Sequence, residues 1–204
     1  MSLDSLRPCA KKILKPLAET LSRAGVTPDA TSFLSLIFAA GAGVLYTISS
    51  GDRTLALSAG ALVLLNGIAD AMDGETARSA GTAGIRGDFL DHVIDRYADV
   101  FIICGIFFGG YIDWRIGVVA IVGTLLTSYL GTQAQAVGLG RHYGGILGRA
   151  DRLVLIMLAS LLYFLYPREI YGFSSPGWSI LLIAVASNIT ALQRFAHIWK
   201  ELGE

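Results

Sequence analysis

The chain has 204 residues, of which 53% are hydrophobic, and its mean hydropathy is +0.59. This is too apolar for an ordinary soluble domain of this size and indicates an integral membrane protein. The formal net charge is zero, so the composition gives no reason to expect a nucleic-acid partner. The two cysteines match neither a metal-binding nor a redox spacing, and we assign them no role.

The first predicted element, residues 3–23, is an amphipathic helix. Leucine, isoleucine and alanine recur at helical spacing, while lysine and arginine occupy the other positions. Such a helix lies at the membrane interface with its basic face towards anionic headgroups, or packs across one end of a helix bundle, and both placements stay open. Thr27 and Pro28 then supply an N-cap and a first helical residue, so the first membrane span begins there.

Six apolar segments follow, and we expect each to cross the membrane once. Some are shorter than the ~20 residues that a span needs, and they reach full length only if neighbouring aspartates are embedded too. The expected fold is all-α: one domain over residues 1–204, with the interfacial helix at 3–23 and a six-helix transmembrane bundle at about 28–200. The segments are Thr31–Ser49, Leu55–Ile68, Ala98–Phe108, Ile116–Leu130, Leu153–Tyr166 and Trp178–Ile198.

Basic residues are distributed unevenly between the two ends of this bundle. With six spans, twelve of the sixteen lysines and arginines fall on or near the side that carries both termini, and three fall on the other side. The positive-inside rule therefore predicts a multi-pass protein of the cell membrane with both termini in the cytoplasm.

A pair of acidic motifs is the most informative chemical feature. Asp70 and Asp73 are three residues apart and Asp91 and Asp95 are four apart, so each pair shares one face of its helix. Counted from the connecting loop, the two pairs lie at matching depths of an antiparallel hairpin. Carboxylates are costly inside a bilayer, which favours a functional role. Four of them together suit a hard divalent cation such as Mg²⁺ or Mn²⁺.

Arg78 lies at the mouth of this hairpin, where it is placed to pair with a phosphate. Two metal ions and an arginine suggest displacement at phosphorus. Two other classes stay open: a cation transporter whose acids coordinate the transported ion, and an aspartate-rich prenyltransferase. Arg96 and Asp99 are one helical turn apart, and we interpret them as a structural ion pair.

The acidic region resembles the signature of the CDP-alcohol phosphotransferase family. All eight fixed positions stand at the right spacing, in Asp70-x-x-Asp73-Gly74-x-x-Ala77-Arg78, eight further residues, and Gly87-x-x-x-Asp91-x-x-x-Asp95. A six-span bundle that follows an amphipathic helix also fits the family, so the resemblance covers essentially the whole chain. It implies that an alcohol attacks a CDP-linked lipid at the cytoplasmic membrane surface and that CMP is released. It also suggests a homodimer.

The resemblance implies a role for each residue of the motif. Asp70, Asp73 and Asp91 would hold two metal ions, Mg²⁺ or Mn²⁺. Asp95 would complete the metal site and act as the general base. The CDP-linked lipid would contact the start of the first span and the small and basic motif residues, which are Asp29, Ala30, Thr31, Ser32, Gly74, Ala77, Arg78 and Gly87.

The acceptor alcohol is less closely defined. Three segments resemble the branch of phosphatidylinositol phosphate and archaetidylinositol phosphate synthases, which uses inositol phosphate: Leu14–Asp29, Gly148–Val154 and Ala184–Arg194. A phosphorylated acceptor needs extra cations, which Arg149, Arg152 and Arg194 can supply unless they are only membrane anchors. Members of that branch carry a Lys/Arg-rich run at the position that follows Ser128-Tyr129 in this chain, and this chain has no such run there. Glycerol 3-phosphate, serine and free inositol therefore stay open as acceptors.

Overall fold

The protein is all-helical in the parts that the structure describes. The computed structural model describes residues 25–79, 84–140 and 144–203 and positions 16, 18 and 20, with only the backbone at 77–79. The predicted interfacial helix at 3–23 lies outside these residues apart from the three single positions, so it stays a prediction. Six helices follow in chain order: α1 (Pro28–Ser49), α2 (Arg53–Ser79), α3 (Ile85–Phe108), α4 (Trp114–Ala136), α5 (Arg149–Leu165) and α6 (Ser175–Leu202).

Four of these helices are long and apolar enough to cross a membrane: α1, α2 over Arg53–Thr76, α4 and α6. The protein is therefore a membrane protein. Helix α3 is long enough to span but carries four aspartates and two arginines. Helix α5 has 17 residues, about 25 Å at the usual helical rise, which is short of the ~30 Å hydrocarbon core. As predicted, α2 and α3 extend through the acidic motifs.

Side-chain caps fix where several helices begin. The Thr27 hydroxyl accepts a hydrogen bond from the backbone N–H of Ala30, and Pro28 is the first helical residue, as the sequence predicts. Asp52 and Asp113 accept backbone N–H bonds at the starts of α2 and α4. These two caps lie at the end of the bundle opposite the acidic motifs. The short α1–α2 and α3–α4 connections lie at the same end.

Small residues allow close helix packing. Helix α1 packs on α2 and α3, α4 packs on α6, and α5 packs on α2. Where α1 crosses α3, a side chain on Gly105 would collide with the backbone of Gly43, so the two backbones touch. Near the end opposite the acids, a buried hydrogen bond of 2.6 Å joins the Tyr46 hydroxyl to the Ser160 hydroxyl. This packing holds the helix ends that carry the acidic motifs at fixed positions.

A single methyl group at the α1–α3 crossing is expected to destabilise the protein. Gly105→Ala places a Cβ against the Gly43 backbone, and overpacking of this kind costs about 1–3 kcal/mol. Gly67→Ala is the matched control, because its Cβ meets only the Leu153 side chain at 3.4 Å. Thermal unfolding in detergent should show a lower midpoint for Gly105→Ala than for Gly67→Ala. Equal midpoints would contradict this close packing.

Candidate active site

Three carboxylates meet where the end of α2 faces the start of α3. One oxygen each from Asp70, Asp91 and Asp95 lies within 4.8 Å of the other two. Oxygens bound to one Mg²⁺ at ~2.1 Å are at most about 4.2 Å apart, so small side-chain adjustments would bring all three within reach of one ion. The donor set is all carboxylate oxygen, which fits Mg²⁺ or Mn²⁺. The predicted hairpin therefore does bring acids of both motifs together.

Asp73 lies beside this group and is bound to α1. The Ser32 hydroxyl donates a 2.7 Å hydrogen bond to an Asp73 carboxylate oxygen, and both side chains are buried. Asp73 is thus held to the start of the first helix, whereas the three oxygens within 4.8 Å come from the other acids. Its predicted role as a fourth metal ligand stays a prediction.

The start of α1 lies against the acidic helices, as the predicted nucleotide contacts require. The buried Thr31 hydroxyl donates to the Pro28 carbonyl at 2.7 Å. Asp29 pairs with Arg86 at the start of α3 at 3.5 Å, with both side chains exposed. Ala30 is exposed in the first turn of the same helix. These contacts place the first turn of α1 at the rim of the acidic group.

The other predicted nucleotide contacts are only partly described. A Cβ on Gly87 would meet no atom within 4 Å, so protein packing does not demand a glycine there. Gly74 is half-buried on α2. The side chains of Ala77 and Arg78 lie outside the described residues. For all four positions the role in binding the CDP-linked lipid stays a prediction.

Arg149, the first residue of α5, reaches into the acidic group. Its Nη1 lies 2.6 Å from an Asp70 oxygen and 2.8 Å from an Asp95 oxygen. Within the described part of the chain, its buried Nε and Nη2 atoms have no hydrogen-bond partner. A buried guanidinium with spare N–H groups beside acids is suited to bind an oxyanion such as a phosphate.

A second arginine of α5 pairs deeper in the bundle. Arg152 Nη2 donates to an Asp99 oxygen at 2.7 Å, and the two side chains are 5% and 4% exposed. The sequence-based pairing of Asp99 with Arg96 is therefore incomplete, because the short contact of Asp99 comes from α5. Arg96 lies 3.7 Å from Asp95. The stripe of acids at positions 91, 95 and 99, at helical spacing, was the available signal for Asp99.

Arg194 has backbone partners. Its Nε donates to the Gly144 carbonyl at 2.7 Å, and its Nη1 donates to the Thr127 carbonyl at 2.6 Å. These bonds join α6 to α4 and to the segment that precedes α5. An acceptor role for Arg194 stays a prediction, and the structure gives it a positional role as well.

Comparison with known proteins gives a consistent family match. The sequence profile described as CDP-alcohol phosphatidyltransferase matches residues 25–195. An archaetidylinositol phosphate synthase from Pyrococcus horikoshii is 29% identical over 200 residues, which cover 98% of each chain. A phosphatidylinositol phosphate synthase from Mycobacterium tuberculosis is 32% identical over 200 residues, covering 94% of this chain and 88% of the relative.

Two crystal structures of the Mycobacterium tuberculosis phosphatidylinositol phosphate synthase have a similar fold. The structure with CDP-DAG bound has a TM-score of 0.75 at 26% identity and covers 92% of this chain and 94% of its own. The complex with manganese and citrate has a TM-score of 0.77 at 25% identity and covers 91% and 88%. That enzyme therefore binds a CDP-linked lipid and manganese on a bundle like this one.

Proposed function

The chain belongs to the CDP-alcohol phosphatidyltransferase family, and we propose that it transfers the phospholipid moiety of a CDP-linked lipid to an inositol phosphate. The reaction class is phospholipid biosynthesis: a metal-dependent transfer from a CDP-linked lipid to an alcohol, with release of CMP. One observation carries the proposal for this chain. It is the group of Asp70, Asp91 and Asp95 with the Arg149 guanidinium bound beside them.

Asp95 is the proposed general base. It takes the proton of the acceptor hydroxyl, whose oxygen then forms a bond to the lipid-linked phosphorus. The bond from that phosphorus to the CMP oxygen breaks, and CMP leaves. Asp70, Asp91 and Asp95 would hold Mg²⁺ or Mn²⁺, with Asp73 as a further ligand. When bound, these ions supply charge stabilisation for the attacking and leaving oxygens.

The CDP-linked lipid is proposed to lie between the start of α1 and the acidic hairpin. Asp29, Ala30, Thr31 and Ser32 line the α1 side, and the bond from Ser32 to Asp73 couples this side to the acids. On the hairpin, the proposed contacts are Gly74, Ala77, Arg78 and Gly87. The open surroundings of Gly87 support this position of the lipid, because they let a ligand approach the backbone closely.

Arg149 and Arg152 are the proposed acceptor-phosphate contacts, with Arg194 as a third. Arg149 is beside the acids and has spare buried N–H groups, and Arg152 has an unpartnered Nε within the described residues. A phosphate on the acceptor satisfies such donors, whereas serine or free inositol offers them no charged partner. The named functions of the two relatives agree with this choice of acceptor.

The proposed topology is a single domain of six membrane spans with a preceding interfacial helix at 3–23. Helices α3 and α5 would cross with the other four because they are packed inside the bundle. Both termini and the acidic ends of the helices would face the cytoplasm, since most basic residues lie on that side. The family resemblance further supports a homodimer in the cell membrane, with membrane lipids around it.

An acceptor screen tests this function. The detergent-purified protein is incubated with Mn²⁺ and either CDP-diacylglycerol or CDP-archaeol, and CMP release is measured with inositol phosphate, glycerol 3-phosphate, serine or free inositol. We expect inositol phosphate to give the highest kcat/KM. A higher value with another acceptor would replace the proposed substrate while leaving the reaction class in place.

Loss of Arg152 or Arg194, two of the three proposed acceptor arginines, is expected to raise the acceptor KM. Each charged hydrogen bond to phosphate is worth about 1.5–3 kcal/mol, so Arg152→Ala or Arg194→Ala should raise this KM by about 10- to 100-fold. Arg115→Ala is the control, because Arg115 lies over Trp114 at the opposite end of the bundle. Unchanged acceptor kinetics in the first two variants would make both arginines structural anchors.

A further inference from the structure

Asp99 is a buried carboxylate that contacts two arginines of α5. It is 4% exposed and lies on α3 one turn beyond Asp95. One Asp99 oxygen accepts a 2.7 Å bond from Arg152 Nη2, and the other lies 3.8 Å from Arg149 Nε. Asp99 therefore bonds one guanidinium group beside the acidic site and lies within ion-pair distance of the other.

The surroundings of the Asp99–Arg152 ion pair prevent water from replacing either partner. On the side away from the starts of α3 and α5, the lining beyond Asp99 and Arg152 is aliphatic and leaves no space for a water molecule; it consists of Ile102, Ile103, Leu153, Ile156 and Ile183. An ion pair in such low-dielectric surroundings is strong, and loss of one partner leaves a buried charge that water cannot solvate. Asp99 therefore strongly restrains the orientation of Arg152.

The arginines keep buried N–H groups that their protein partners do not use. In the described residues, Nε and Nη2 of Arg149 and Nε of Arg152 are buried without a hydrogen-bond partner. Arg149 also forms ion pairs with Asp70 and Asp95 through Nη1. A change in the position of either guanidinium consequently moves donors beside the reacting groups.

We propose that Asp99 is a positioning residue that orients Arg149 and Arg152, so that Nη2 of Arg149 and Nε of Arg152 bind the phosphate of the acceptor. Asp99 does not touch the reacting atoms in this arrangement. It acts through the two guanidiniums, and its negative charge offsets the repulsion between Arg149 and Arg152. This inference rests on the proposed function, because it assigns Asp99 to the same acceptor site.

The first test is the kinetic behaviour of Asp99→Asn, which keeps the side-chain size but removes the charge. The acceptor KM should rise by about 10- to 100-fold, while kcat and the KM of the CDP-linked lipid should change by less than about threefold. Asp99→Glu restores the charge and should recover part of the acceptor affinity. A fall in kcat with an unchanged acceptor KM would overturn the proposal.

Tyr46→Phe is the matched control for a purely structural effect. It removes the buried hydrogen bond to Ser160, which lies away from the acids, and leaves the aromatic ring in place. It should lower the thermal midpoint and leave the acceptor KM unchanged. If Tyr46→Phe raises the acceptor KM as much as Asp99→Asn does, the effect is general loosening of the bundle and the proposal fails.

A double-mutant comparison keeps the test decisive even where Asp99→Asn is unstable. Asp99→Asn with Arg152→Ala removes both members of the buried pair, so no charge is left alone. If Asp99 acts partly through Arg152, Asp99→Asn raises the acceptor KM by a smaller factor in the Arg152→Ala background than in the wild type, and the remaining effect passes through Arg149. Independent, multiplicative effects would overturn this coupling.

The wild-type protein separates this inference from the proposed function. If the wild type releases no CMP with inositol phosphate, the proposed function fails. If the wild type is active and Asp99→Asn leaves the acceptor KM unchanged, only the assignment of Asp99 fails.

Discussion

Asp95→Asn is expected to abolish turnover while largely retaining binding of the CDP-linked lipid. The amide cannot accept the proton of the acceptor hydroxyl, and loss of a general base lowers kcat by about 10²- to 10⁴-fold. The nucleotide and lipid contacts proposed at α1 and along the hairpin stay in place. Single-turnover release of CMP measures the chemical step, and equilibrium binding of the CDP-linked lipid measures the retained affinity.

Asp88→Asn is the control for this substitution. Asp88 is on the same helix but is exposed at its first turn, so the same change there should leave kcat within about threefold. If Asp95→Asn loses lipid binding and turnover equally, Asp95 acts chiefly as a metal ligand. If Asp95→Asn retains normal turnover, the assignment of the base is wrong.

Asp91→Asn is expected to weaken binding of the divalent cation strongly. Changing Asp91 disturbs the fewest other contacts of the three acids, because Arg149 forms ion pairs with Asp70 and Asp95. Loss of an outer partner of a metal site costs about 10- to 100-fold in affinity, and loss of a direct ligand should cost at least as much. Titration with Mn²⁺, followed by electron paramagnetic resonance of the free ion, gives the affinity without relying on turnover.

Asp52→Asn is the matched control for the metal titration. Asp52 caps α2 at the opposite end, and asparagine is an equally good cap, so Mn²⁺ affinity and stability should stay unchanged. Equal Mn²⁺ affinity in Asp91→Asn and the wild type would remove Asp91 from the metal site.

Local spacing is sufficient to predict the hairpin and much of its acidic site. The three- and four-residue intervals place each pair of acids on one helix face, and the short loop between the motifs makes the helices antiparallel. The structure brings Asp70, Asp91 and Asp95 together accordingly. The start of α1 at Thr27 and Pro28 also follows from local chemistry, because the cap and the proline are adjacent in sequence.

Contacts from α5 are beyond such local reasoning. Arg152 is 53 positions away from Asp99, and the bond exists because α5 packs inside the bundle with its first turn at the level of the acids. Helical spacing alone favours the neighbouring Arg96 as partner of Asp99. The position of Arg149 between Asp70 and Asp95 depends on the same packing. The sequence therefore predicts an arginine near the site but does not predict which acids it pairs with.

The product balance of a single reaction tests the proposed lipid transfer most directly. The purified protein is given a CDP-linked lipid, inositol phosphate and Mn²⁺, and both CMP and the lipid product are quantified by mass spectrometry. We expect equal amounts of CMP and of a lipid carrying inositol phosphate, and no product when the metal is chelated. Absence of CMP release with every acceptor tested, in the presence of Mn²⁺ or Mg²⁺, would contradict the proposed transfer.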